Sequence, residues 1–229
     1  MHQEPLLEEP LRLRSGAYCR MYRGDPSAKV GVVAMHPWGP LGGNLHDPHV
    51  VTVTRFFGHA GCATARLQFR TGFSCGSAPI GDASAAAEAL LRIPNIQRVL
   101  LVGYSYGSIV AMSAADAIPE ALGWASIAPP LDYVWALFLF NSRAILDQTR
   151  ITLPKLLVHP TRDEFCKTAT FDAYTQSLPE PKLPIKIRDA SHFNVARHIP
   201  AALRQWLQAH FGAADAEAFA RGDFPAMHQ

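Results

Sequence analysis

The 229-residue sequence holds no apolar run long enough to cross a bilayer. Its longest, Val134 to Phe140, spans seven residues, against the roughly 20 that a membrane-spanning helix needs. An excess of charge of one sign is also missing. The 21 basic and 19 acidic residues leave a net charge of +2 and are mixed along the chain, so no basic tract is available for nucleic acid. Cysteine is sparse: Cys19, Cys62, Cys75 and Cys166 form neither a Cys-x-x-Cys pair nor a Cys/His cluster with zinc-ligand spacing, and read as reduced thiols. No metal site or cofactor is expected from this composition. The opening residues MHQEPLLEEP are acidic and broken by proline, without the cationic start and apolar run of a secretory signal, so a cytoplasmic protein is expected.

What is present is apolar material spread through the chain. Hydrophobic residues make up 48% of it, enough for a sizeable core, and the length suits one domain over residues 1–229. Residues 1–10 and about 213–229 are expected to be flexible tails, the second a polar helix with a frayed end. Leu11–Arg14 and Ala17–Tyr22 alternate in character around Ser15-Gly16, as an opening antiparallel hairpin would. Strand-length apolar runs then recur at Val30–Met35, Ala63–Phe69, Val99–Val102, Gly123–Ala128, Lys155–His159 and Pro184–Arg188. Between them lie helical segments at His49–His59, Asp82–Arg92, Ser108–Ala117, Asp132–Gln148, Thr168–Ser177 and Val195–Phe211. Strands apolar on both sides that alternate with helices imply an α/β, three-layer α/β/α sandwich with a mostly parallel sheet.

One turn in this pattern carries chemistry. The run Gln97–Val102 enters Gly103-Tyr104-Ser105-Tyr106-Gly107 and then a helical segment, giving strand, G-x-S-x-G, helix. So tight a turn has no room for side chains at the flanking positions and holds the serine proud at the strand end. The following helix aims its partially positive end and backbone N–H groups at the reacting carbon, and the N–H of Tyr106 becomes the first oxyanion donor.

A serine hydroxyl at neutral pH needs a base, and the base needs a carboxylate that fixes its tautomer. The strand Lys155–His159 runs into a loop with Asp163, which is expected to be that acid; Glu164 and a helix-capping role for Asp163 stand as alternatives. The last strand leads to Asp189-Ala190-Ser191-His192-Phe193, which places His192 as the base. Of the nine other histidines, His36 and His159 also sit at strand ends, but the first precedes the nucleophile and the second precedes the acid loop. The order Ser, Asp, His, with gaps of 58 and 29 residues, differs from those of chymotrypsin and subtilisin.

The loop His36-Pro37-Trp38-Gly39-Pro40-Leu41-Gly42-Gly43 follows the strand Val30–Met35 and is expected to supply the second oxyanion donor. Pro37 has no N–H, which leaves Trp38, with Gly39 behind it. Asp132 to Phe140 is too apolar and aromatic for a solvent-facing helix. A substrate pocket is therefore expected from Tyr133, Trp135 and Phe138 together with Tyr104 and Phe193, with core packing as the plain alternative.

These residues together resemble the α/β-hydrolase superfamily, in particular its small, nearly lidless members similar to dienelactone hydrolase and the prolyl-oligopeptidase-like hydrolase domains. The resemblance rests on His36-Pro37-Trp38 with Gly42-Gly43, on Arg66–Gly76, on the elbow at Ser105, on Arg162-Asp163 and on Ser191-His192-Phe193. Thr71 stands where these proteins carry glycine after the arginine, and Ser105 stands where dienelactone hydrolases carry cysteine. The resemblance implies an enzyme without cofactor, a minimal cap, and a small-molecule ester or acyl substrate cleaved through Ser105, His192 and Asp163. Thioesters, short acyl-peptides and a non-catalytic binding role on the same fold remain as alternatives.

Overall fold

The computed structural model describes residues 4–70, 77–134 and 152–225. Eight strands form one sheet: β1 (Glu9–Arg12), β2 (Tyr18–Tyr22), β3 (Val30–Met35), β4 (Ala63–Gln68), β5 (Arg98–Tyr104), β6 (Ala121–Ile127), β7 (Lys155–Arg162) and β8 (Lys182–Ser191). Their spatial order is β1-β2-β4-β3-β5-β6-β7-β8. β1 and β2 pair antiparallel, and β2 joins β4 antiparallel; every pairing from β4 onward is parallel. Strand periodicity divides each central strand between two cores. Val30, Val32 and Ala34 of β3 face one, with Leu100, Val102 and Tyr104 of β5, while Val33, Met35, Val99 and Leu101 face the other.

Helices cover both faces, as the doubly apolar strands require. α1 (Pro48–His59), α5 (Ile199–Trp206) and α6 (Ala216–Arg221) contribute to the core that holds Tyr104. α2 (Ser77–Leu91), α3 (Tyr106–Ala115) and α4 (Thr168–Ser177) contribute to the opposite one. The chain is thus an α/β protein with three layers. Its central strand β5 lies between β3 and β6, so the loop that leaves β5 emerges among the carboxyl ends of its parallel neighbours.

The termini depart from the sequence-based expectation. Among the described N-terminal residues, Leu6 packs against Gly58, Glu8 pairs with Arg66, and the Glu8 carbonyl accepts from Arg20 Nη2 at 3.0 Å. These ties let β1 start at Glu9, two residues earlier than the alternation around Ser15-Gly16 indicates. At the other end, residues 213–224 fold onto the sheet. Phe219 and Phe224 are buried, stacked at 4.9 Å, and Phe211 approaches Phe219 at 5.1 Å. Three aromatic residues dispersed among small and charged ones escape a compositional reading but form one cluster in space. The single helix expected over Val195–Phe211 is instead a 3-10 turn (His192–His198), α5 from Ile199 to Trp206, and a π turn (Leu207–Phe211).

Because Phe219 is buried in the core, Phe219→Ala is expected to lower the unfolding free energy by about 3–5 kcal/mol, measured by urea denaturation. A loss below about 0.5 kcal/mol, the range of surface substitutions, would mark the segment as a loose tail.

Candidate active site

Ser105 occupies the turn between β5 and α3 with φ 53° and ψ −120°, a conformation that L-residues rarely adopt. Such backbone strain costs on the order of 1–3 kcal/mol and persists only where the surroundings impose it. Here the Ser105 N–H donates to Ile127 O on β6 at 2.9 Å, and Ser105 O accepts from the Ser108 N–H at 3.0 Å. Two glycines make the crossing possible: a Cβ on Gly103 would collide with the Gly107 carbonyl, and a Cβ on Gly107 with the Met35 carbonyl of β3. The elbow glycines are therefore dictated by contact between β5, α3 and β3.

His192 follows β8 at the start of the 3-10 turn. Ser191 caps that turn, its N–H donating to Asn194 Oδ1 at 2.9 Å, and Val195 anchors it in the core. The imidazole is 3% exposed on its side chain and meets the Asp163 carboxylate, itself fully buried, through Nδ1 at 3.0 Å to Oδ2 and 3.1 Å to Oδ1. A carboxylate only accepts, so Nδ1 carries the proton and Nε2 presents its lone pair. The Ser105 hydroxyl lies 2.9 Å from Nε2 and donates to it. Asp163 is fixed in turn by the Phe165 N–H, which donates to Oδ1 at 2.7 Å. The neighbouring Glu164 does not reach the ring; its Oε2 accepts from the main-chain N–H of His192 at 3.0 Å. The two adjacent carboxylates thus take different parts of one residue.

The competing histidines are engaged elsewhere. His36 is buried, donates from Nδ1 to Pro37 O and accepts the Phe69 N–H at Nε2 at 3.2 Å. His159 is stacked on Phe171 at 4.6 Å, with Nε2 against Thr168 Oγ1 at 3.0 Å. Burial pushes the pKa of both downward, as expected for core imidazoles.

Trp38 sits at the head of the loop after β3, its carbonyl accepting from Leu41 and Gly43 N–H groups at 3.1 Å. The far end of that loop is pinned through Leu45, whose N–H donates to Gln68 Oε1 and whose carbonyl accepts from Arg66 Nη1, each at 3.0 Å. Tyr106 opens α3 beside Ser105, its ring buried against Phe69 at 5.7 Å.

Ser105 and His192 open into a cavity of about 670 Å3 whose walls include Trp38, Leu41, Tyr133, Phe165 and Phe193. Leu41, Phe193 and Tyr133 form an apolar rim, exposed by 74%, 66% and 45%. Of the pocket expected from sequence, Tyr104, Tyr133 and Phe193 line this cavity. Tyr104 does so with its hydroxyl already committed to His192 O at 3.0 Å. Trp135 and Phe138 lie outside the described residues. Leu41 and Phe165 were not expected; Phe165 is two residues past Asp163, so the acid loop itself carried the signal.

No family model matches the chain. A stretch of 117 residues, 48% of this chain and 49% of the other protein, is 28% identical to the uncharacterized protein RP471 of Rickettsia prowazekii, so the match spans about half of that relative. Solved structures agree over far more of the fold. The α/β serine hydrolase without lid XC6422 from Xanthomonas campestris superposes with a TM-score of 0.73 at 22% identity, over 90% of this chain and 97% of that one. Est1E from Butyrivibrio proteoclasticus gives 0.72 at 15% identity, over 89% and 98%. The Pyrococcus furiosus esterase Pf2001 gives 0.70 at 16% identity, over 89% and 92%. The chain has the α/β-hydrolase fold.

The crowding at the elbow is testable with a matched pair. Gly107→Ala is expected to lower the thermal midpoint by about 3–9 °C, given overpacking costs of about 1–3 kcal/mol at roughly 3 °C per kcal/mol for a chain of this length. Gly39→Ala, whose added Cβ meets nothing within 4 Å, is expected to leave it within about 2 °C. Equal midpoints for the two variants would contradict the steric account.

Proposed function

We propose that the chain is a serine hydrolase that cleaves apolar carboxylic esters through an acyl-enzyme on Ser105. The carrying observation is the unbroken relay from Ser105 Oγ to His192 Nε2 at 2.9 Å and from His192 Nδ1 to Asp163 at 3.0 Å, at the floor of an apolar cavity. In the first half-reaction Ser105 Oγ attacks the ester carbonyl while its proton passes to Nε2. The imidazolium that forms is stabilised by the buried Asp163 carboxylate and returns the proton to the departing alkoxide, releasing the alcohol. Water then repeats the sequence on the acyl-enzyme and releases the acid. The backbone N–H groups of Tyr106 and Trp38 are assigned to the oxyanion, since one opens α3 beside Ser105 and the other heads the loop on the far wall of the cavity.

The substrate class follows from the walls. Trp38, Leu41, Tyr133, Phe165 and Phe193 suit an apolar acyl or aryl group, and the volume is that of a drug-sized ligand. Thioesters and short acyl-peptides present the same carbonyl to the same relay, and leaving-group preference separates these readings. A binding protein without turnover has no use for a serine activated in this way, which supports the enzyme reading. Cys19, Cys62 and Cys166 are buried free thiols; burial pushes the first up to about 11 and the last up to about 12. Unpaired thiols support a reducing, cytoplasmic setting. No helix among the described residues is long and apolar enough to cross a membrane.

The test is hydrolysis of p-nitrophenyl esters from acetate to decanoate. Ser105→Ala and His192→Ala are each expected to lose roughly 10⁴-fold or more in kcat, and Asp163→Asn about 10³- to 10⁴-fold. The wild-type profile is expected to rise from acetate to butyrate and longer chains as the cavity fills. Turnover that survives Ser105→Ala would contradict the assignment of the nucleophile.

A further inference from the structure

Asp163 secures only the ring of His192; the main chain of the residue is secured separately. Its N–H donates to Glu164 Oε2 at 3.0 Å and its carbonyl accepts from the Tyr104 hydroxyl at 3.0 Å. We propose that Tyr104 and Glu164 are positioning residues that clamp the His192 backbone and so hold Nε2 in line with Ser105 Oγ through both proton transfers. The inference rests on the serine-hydrolase reading of the site and goes beyond it.

The placement of the two residues gives the clamp its meaning. Tyr104 is the last residue of β5, directly before Ser105, while Glu164 directly follows Asp163. The strand that presents the nucleophile therefore also fixes the carbonyl of the base, 88 residues further along the chain. The loop that presents the acid likewise fixes the N–H. His192 itself lies past the end of β8, in a 3-10 turn with no sheet partner for its backbone, so side chains supply the hydrogen bonds that a ladder gives elsewhere.

Tyr104 is built to be rigid. Its ring is buried and stacks on His49, with centroids 3.7 Å apart and planes 12° from parallel. His49 Nδ1 lies 2.9 Å from Asp47 Oδ1, which also accepts from the His49 N–H at 2.9 Å and caps α1. Burial, and then the carboxylates of Asp47, Asp163 and Glu164, push the phenol well above its ordinary pKa, so the hydroxyl stays a donor. Its one proton is committed to His192 O, which makes the hydroxyl a support rather than a substrate contact.

Loss of a clamp leaves the ring paired with Asp163 but its position less well fixed. Displacement of about 1 Å between reacting groups costs up to about 10²-fold in rate. With p-nitrophenyl butyrate, Tyr104→Phe is expected to lower kcat about tenfold and Glu164→Ala about fivefold, each with KM within about twofold of wild type. Glu164→Gln keeps an acceptor oxygen and is expected to restore kcat to within about twofold. Should Tyr104→Phe fail to fold by circular dichroism, the Glu164→Ala and Glu164→Gln pair decides alone. Wild-type turnover combined with unchanged kcat in Tyr104→Phe and Glu164→Ala overturns the clamp and leaves the hydrolase reading standing. A raised KM at constant kcat overturns it in favour of substrate contact, and a Glu164→Gln variant as impaired as Glu164→Ala overturns it in favour of a charge effect. Wild-type protein without turnover, labelled on Ser105 by neither ester nor activated phosphonate, defeats the hydrolase reading and the clamp with it.

Discussion

The close passage of β3, β5 and α3 at two glycines sets the terms for everything around the site. Gly103 and Gly107 let the chain reverse within a few residues, and that reversal forces Ser105 into a left-handed conformation. A residue held this way projects its side chain from the end of the sheet instead of packing it into either core. The cost of the strain is borne by the sheet: β5 is paired on both sides, and the Ser105 N–H completes the ladder to β6. Relaxing the turn would therefore mean unpairing the middle of the molecule.

From that fixed point the other parts are placed by reference to the same strands. The loop bearing His192 is tied to β5 through Tyr104 and to the end of β7 through Asp163 and Glu164. The loop bearing Trp38 is tied to β4 through Arg66 and Gln68, with Arg66 braced by Glu8 from the N-terminal segment. Groups that lie within hydrogen-bond distance of one another are thus carried by loops whose positions are set by polar contacts to the sheet and its strand ends. Such fixed placement is what the proposed mechanism, with its two proton transfers, would require.

The local parts of this arrangement were legible in the sequence because they are contiguous. The glycine spacing around Ser105 and the strand ahead of each loop follow from short stretches of chain. Contacts between distant residues were not legible. The sequence favours Asp163 over Glu164 but does not show what the second carboxylate does, since a neighbouring carboxylate's partner depends on where the loop aims it. Nor does it join the Tyr104 hydroxyl to a carbonyl 88 residues away. The C-terminal segment misled for a different reason: the π turn spaces Trp206 and Phe211 five apart, so the helical period is broken just where the aromatic cluster begins. The N-terminal residues misled because their anchors, Arg20, Gly58 and Arg66, lie elsewhere in the chain.

The proposed chemistry requires Ser105 to be an activated nucleophile. Incubation with a fluorophosphonate followed by intact-mass and peptide mapping tests this directly, without knowledge of the natural substrate. The account predicts a single adduct per chain, mapped to Ser105, formed in minutes by the wild type and suppressed in His192→Ala. An unmodified Ser105 in correctly folded protein, or an equal rate of labelling without the imidazole, would contradict it.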